Sequence, residues 1–189
     1  MLKLATILDN PGEPAVQTQY RDPQQLRDLG YTGLVLYDTT ALSGIGDLQD
    51  IEDQELRRWV ADRFEQMRQT IQKARQAGLD VYIFYDLLCL SRGLVQQHVE
   101  ELVCKNRPMM LCPASPIALS YSVQSLGALL QRWPDLQGVV LRFGDNDAGR
   151  VPYLVGNDLL TPHCPRCSQL GRADRINRAI ESFYKLVVE

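Results

Sequence analysis

The sequence predicts an α/β fold of parallel strand-then-helix units, and three observations carry that prediction. Four short apolar runs, at residues 2–8, 33–37, 81–85 and 138–143, have a strand's length and almost no polar face, as strands covered on both sides do. Between and after them lie stretches whose apolar residues recur at steps of three and four, the period of an amphipathic helix. Alternation of this kind produces parallel strands joined by right-handed crossovers.

Each element carries its own punctuation. The first run stops at Asp9, Asn10, Pro11 and Gly12, all turn formers. Asp22 is placed as an N-cap with Pro23 at the first helical position, Leu26 and Leu29 lie three apart, and Gly30 closes a short helix. Residues 33–37 (Gly-Leu-Val-Leu-Tyr) form the second strand, followed by Asp38 and a long polar loop to Asp53. Over 53–77, Leu56, Val60, Phe64, Met67, Ile71 and Ala74 draw the apolar stripe of a long helix, with Gly78 as its stop.

Residues 81–85 (Val-Tyr-Ile-Phe-Tyr), β-branched and aromatic, make the third strand and end at Asp86. A short helix is expected over 94–104, while residues 108–113 fit no single state. Ser115 and Pro116 repeat the cap-and-proline signal, Val123, Leu126, Leu129 and Leu130 give that helix its buried face, and Trp133-Pro134 ends it. After the fourth strand come Gly144, Asp145, Asn146 and Asp147, then a loop leading to His163-Cys164-Pro165-Arg166-Cys167. The final helix, 173–188, sets Ile176, Ile180, Phe183, Leu186 and Val187 on one side.

Bulk properties narrow the function classes. At 189 residues, with 45% hydrophobic and 23% charged side chains, the chain suits one ordinary globular domain, 1–189. Its net charge of -3 offers no basic footprint, so neither nucleic acid nor an anionic membrane surface is expected as a partner. The apolar start meets Asp9, Pro11 and Glu13 too soon for a signal or spanning segment. Five cysteines, an odd number, fit reduced thiols and hence a cytoplasmic location. No dinucleotide fingerprint, Walker loop or serine-hydrolase elbow occurs, and His98 lies in a polar stretch typical of a surface.

Parallel strands bring their C-terminal ends to one side, and an aspartate follows each of them: Asp9, Asp38, Asp86 and Asp145. Four carboxylates would then converge on the rim where barrel and doubly wound enzymes keep their sites. Aspartate is also a common first loop residue and helix cap, so the pattern has a purely local reading as well.

The order of motifs is informative too. Leu-Gly-Tyr-Thr-Gly-Leu-Val-Leu-Tyr (29–37), Leu-Cys-Pro-Ala-Ser-Pro (111–116), Trp-Pro-Asp-Leu-Gln-Gly-Val-Val-Leu-Arg-Phe-Gly-Asp (133–145) and His-Cys-Pro-Arg-Cys (163–167) together resemble the first half of a glycoside hydrolase barrel, of the α-glucuronidase and β-hexosaminidase types. The resemblance implies a partial (half) TIM barrel, a (β/α)4 domain with about four strands and four main helices. A whole barrel takes about 250 residues, so this domain is expected to be part of a larger barrel or to be closed by a homodimer that covers its two edge strands. It also implies a carbohydrate substrate at the strand ends and an acidic residue just after strand four. Asp145 and Asp147 stand there, as Asp-Asn-Asp where hexosaminidases have an Asp-Glu pair.

Glycoside cleavage needs an acid for the leaving oxygen and a carboxylate as base or nucleophile, which makes Asp145 and Asp147 the candidate catalytic residues. Candidate substrate-binding residues are Asp9, Asp38 and Asp86, with Arg142 to pair a uronate or a neighbouring carboxylate and Tyr37 and Tyr85 to stack on sugar faces. Two alternatives stay open: a non-catalytic carbohydrate-binding or structural module, and a metal-dependent hydrolase using the aspartate rim. No cofactor is expected, apart from zinc at His163, Cys164 and Cys167. A structural zinc needs four ligands, so Cys104 or Cys112 would have to be recruited by the fold; otherwise the pair is a buried or loop-stabilising dithiol.

Overall fold

Capping residues set the starts of several helices in the computed structural model, which describes residues 1–8, 16–37, 42, 43, 45, 51, 53–143 and 153–188, the last two by backbone alone. In chain order the elements are β1 (Leu4–Ile7), a 3-10 turn (Gln19–Arg21), α1 (Pro23–Asp28), β2 (Gly33–Leu36), α2 (Gln54–Gln76), β3 (Asp80–Asp86) and β4 (Leu90–Ser91). There follow α3 (Arg92–Gln97), α4 (Val99–Leu102), β5 (Val103–Cys104), β6 (Arg107–Leu111), α5 (Pro116–Arg132), β7 (Gly138–Arg142), β8 (Leu154–Val155), α6 (Pro165–Ser168) and α7 (Arg172–Val188). The Asp22 side chain accepts from the Gln24 amide, Asp53 from Glu55 and Leu56, and Ser115 from Ala118, with Pro23 and Pro116 opening their helices. Gly30 and Gly78, at φ 82° and 76°, take the left-handed turn that ends α1 and α2.

The main sheet has the order β1-β2-β3-β7, and every pair in it is parallel. Alternation along the strands sorts its side chains into two sets. Leu34, Leu36, Val81, Ile83 and Tyr85 point into the hydrophobic core, where Val60, Phe64, Met67 and Ile71 of α2, Leu126 and Leu129 of α5 and Phe183 of α7 meet them. The opposite face carries Leu4, Gly33, Val35, Tyr82, Phe84, Asp86, Gly138 and Arg142 by the same alternation. These are the parallel β/α units of a partial barrel, with the helical core on one side of the sheet.

The end strands differ from the expectation of strands covered on both sides. All of β7 is only half-buried and Phe143 is 45% exposed, because β7 pairs with β3 alone among the described residues. The expected helix over 94–104 is also broken. His98, at φ -131° and ψ 35°, interrupts it, and Val103 and Cys104 turn into an antiparallel hairpin with β6, which occupies most of the ambiguous stretch.

Tyr82 explains two glycines. A Cβ at Gly138 would lie 3.1 Å from Tyr82 Cδ1, and one at Gly33 would lie 3.1 Å from Cε2 on the same ring and 2.7 Å from Leu4 Cδ2. The ring thus uses space that side chains on both neighbouring strands would fill. Gly138→Val is expected to lower stability by about 1–3 kcal/mol through overpacking, read as a lower urea midpoint, and adding Tyr82→Ala should restore part of the loss.

Candidate functional site

Register brings the rim together. Asp86 ends β3 directly opposite Arg142 at the end of β7, and both side chains leave the sheet on the same face. Arg142 Nε donates to Asp86 Oδ1 at 2.5 Å and Nη2 donates to Oδ2 at 2.8 Å, a two-pronged charged pair. Its third nitrogen, Nη1, donates to the Tyr37 hydroxyl at 2.6 Å. The Tyr37 ring rests edge-on against Phe84, with centroids 5.3 Å apart. The Asp86 amide donates to Ser43 Oγ at 3.0 Å, so the residue, whose side chain is 4% exposed, is held through its backbone as well as through its carboxylate. With both oxygens engaged by one guanidinium, Asp86 serves as the anchor that aims Arg142.

The loop beyond Asp86 is held under strain. Leu88 adopts φ 55°, a left-handed conformation costly for a residue with a side chain, and the Asn157 amide secures it by donating at 2.7 Å to the carbonyls of both Leu87 and Leu88. Antiparallel pairing of β4 with β8, and a Leu111 amide bond to the Gly156 carbonyl at 2.8 Å, tie the segment after β3 to the segment after β7. Residues 90–91 and 111, which come after β3, are thereby joined to residues 154–156, which come after β7.

Of the residues named from the sequence, Tyr37, Asp86 and Arg142 meet. Tyr85 does not join them. It points to the other face of β3, is 0% exposed, donates its hydroxyl to the Ser122 carbonyl at 3.1 Å and packs against Phe183, so it is a core residue and not a rim aromatic. Asp9, Asp38, Asp145 and Asp147 lie outside the described residues.

A second cluster corrects the expected metal set. The sulfurs of Cys104, Cys112, Cys164 and Cys167 all lie within 4.8 Å of one another, and all four residues are buried. His163 is not among them: its Nε2 meets Asp158 Oδ2 at 2.9 Å, and only its backbone amide reaches the cluster, donating to Cys167 Sγ at 3.1 Å. Adjacent residues project in different directions, which separates His163 from Cys164. Cys104 ends β5 and Cys112 follows β6, while Cys164 and Cys167 flank the first turn of α6, so the hairpin supplies two sulfurs and the short helix two. Burial pushes the Cys164 thiol up, but hydrogen bonds from Cys167 and the neighbouring thiols outweigh it and bring that thiol to about 6. Burial drives Cys104 and Cys112 the other way, above the ordinary thiol value.

No family model and no curated protein matches the chain. Solved structures do. The GH36 alpha-galactosidase AgaA from Geobacillus stearothermophilus is similar over 87% of this chain and 23% of that one, at 14% identity and a TM-score of 0.50. An alpha-galactosidase from Lactobacillus brevis covers 87% of this chain and 21% of its own, at 19% identity and a TM-score of 0.48. A GH138 enzyme targeting pectin rhamnogalacturonan II covers 98% and 25%, at 16% identity and a TM-score of 0.49. The chain spans about a quarter of the length of the structures it matches. Its fold is glycoside-hydrolase-like.

Proposed function

We propose that this chain is a carbohydrate-active, glycoside-hydrolase-like domain that takes a saccharide at the C-terminal ends of its parallel strands. The observation that carries this reading is the meeting of Tyr37, Asp86 and Arg142 at those ends, on a fold shared with a GH36 alpha-galactosidase. Arg142, held in place by Asp86 and Tyr37, sets a fixed positive charge where a sugar carboxylate or hydroxyl would be bound, and Tyr37 sets an aromatic ring beside it. A uronate-bearing sugar suits a guanidinium best, in keeping with the α-glucuronidase-type resemblance.

Asp145 and Asp147 follow Arg142 by three and five residues and supply the carboxylates this reaction class needs, one to protonate the leaving oxygen and one as base or nucleophile. The test uses aryl glucuronides and galactosides for turnover and calorimetry with galacturonic acid for binding. Asp145→Asn and Asp147→Asn should each cut turnover by at least about a hundredfold while leaving binding in place. Wild-type binding with no turnover on any of these substrates would favour the carbohydrate-binding module. Unchanged turnover in both variants would remove these residues from the site.

A further inference from the structure

We propose that Cys104, Cys112, Cys164 and Cys167 hold one zinc ion as a closed four-thiolate site, which staples the loop after β3 to the loop after β7. The spacing of the sulfurs is the first argument. Cys164 and Cys167 are 3.5 Å apart, Cys112 and Cys164 3.7 Å, and Cys104 and Cys167 3.9 Å. Four sulfurs placed tetrahedrally around zinc at about 2.3 Å stand about 3.8 Å from one another. Disulfide sulfurs stand at about 2.05 Å, and all five cysteines of the chain are free thiols.

The donors around the sulfurs are the second argument. Four thiolates around a divalent ion leave a net negative charge, which hydrogen-bond donors must balance. The amides of His163 and Cys164 donate to Cys167 Sγ at 3.1 and 3.3 Å, and Arg166 Nε donates to Cys112 Sγ at 3.3 Å. The rest of the Arg166 guanidinium is held against the cluster by the carbonyls of Glu101 and Val103, at 3.1 and 3.0 Å. A cation and two amides facing thiol sulfur are better matched to thiolate than to an ordinary buried thiol.

Simple core packing accounts for the cluster less well. Buried cysteines used as small hydrophobes sit among aliphatic neighbours. Here the four sulfurs meet each other, in a group separate from the main core, and Ala114 is the partly buried apolar residue packed against them among the described residues. Soft thiolates in a tetrahedral set select zinc or iron over hard cations such as magnesium. Four protein ligands, none more than 4% exposed, leave no position for water, so the site is structural and not catalytic.

The chain purified without added metal or chelator should contain one equivalent of zinc by mass spectrometry. Exchange with cobalt should produce the intense visible bands of tetrahedral cobalt thiolate. His163→Ala and Cys89→Ala should keep the full equivalent, whereas Cys104→Ser should lose it. Should Cys104→Ser fail to fold, thiol titration of the native wild type decides: four thiols should become reactive towards an aromatic disulfide reagent on addition of a strong chelator and not before, with Cys89 buried throughout. Folded wild-type protein with no bound metal, a disulfide within the cluster, or iron in place of zinc would overturn the assignment.

Discussion

Arg142→Met is expected to lower the unfolding free energy by about 3–5 kcal/mol, because it strips a buried carboxylate of its charged partner. Asp86 and Arg142 are 4% and 14% exposed, and two of the guanidinium's bonds go to that one carboxylate. Arg142→Lys should recover only part of the loss, since an ammonium is a point charge and cannot make the fork. The double variant Asp86→Leu with Arg142→Met should be markedly more stable than Arg142→Met alone, because no carboxylate is then left buried. Urea unfolding of the wild type, these three variants and Asp86→Leu alone measures all of this, and simple additivity of Asp86→Leu and Arg142→Met would show that the pair is not coupled.

Arg175→Met is the second large effect, at about 2–4 kcal/mol. Arg175, 3% exposed at the start of α7, donates from Nε to the Leu159 carbonyl at 2.9 Å, from Nη1 to Leu170 at 2.6 Å and from Nη2 to Leu160 at 2.7 Å. One guanidinium thus closes the loop that leads into and out of the cysteine helix. Methionine fills much of the volume but leaves three inward carbonyls without their donor. Hydrogen exchange should report faster opening across residues 159–170, with α2 unaffected; equal loosening of α2 would show that Arg175 acts on global stability instead.

The elements read most easily from sequence were those with two independent signals. The helix Gln54–Gln76 has both a long apolar stripe and the Asp53 cap, and α5 has both Ser115-Pro116 and a buried face. The four strands were legible because glycines and aspartates bound short apolar runs. What escaped was short or ambiguous in parity. Strands β4, β5 and β8 are two residues each, too brief for any periodicity. In Val-Tyr-Ile-Phe-Tyr every side chain is apolar or aromatic, so alternation alone does not tell whether Tyr82 or Tyr85 faces the helices.

The site shows the same division. Tyr37, Asp86 and Arg142 were legible because each stands at a strand end, where parallel topology gathers residues distant in sequence. The Cys-Pro-Arg-Cys turn was legible as half of the four-cysteine cluster, but its other half, Cys104 and Cys112, lies on a hairpin without a recognisable turn signature, and their convergence belongs to tertiary structure. Arg175 was invisible for a simpler reason: an arginine on an amphipathic helix reads as solvent-facing until the loop above it is seen to present three carbonyls.

Saccharide binding at the rim is tested most directly by titrating isotope-labelled protein with galacturonic acid and following the backbone amides by NMR. Saturable shifts should centre on Tyr37, Asp86, Leu87 and Arg142, and binding should weaken at least about tenfold in Arg142→Met, where the fixed positive charge is gone. Shifts centred elsewhere, or none that saturate while the protein remains folded, would contradict the proposal.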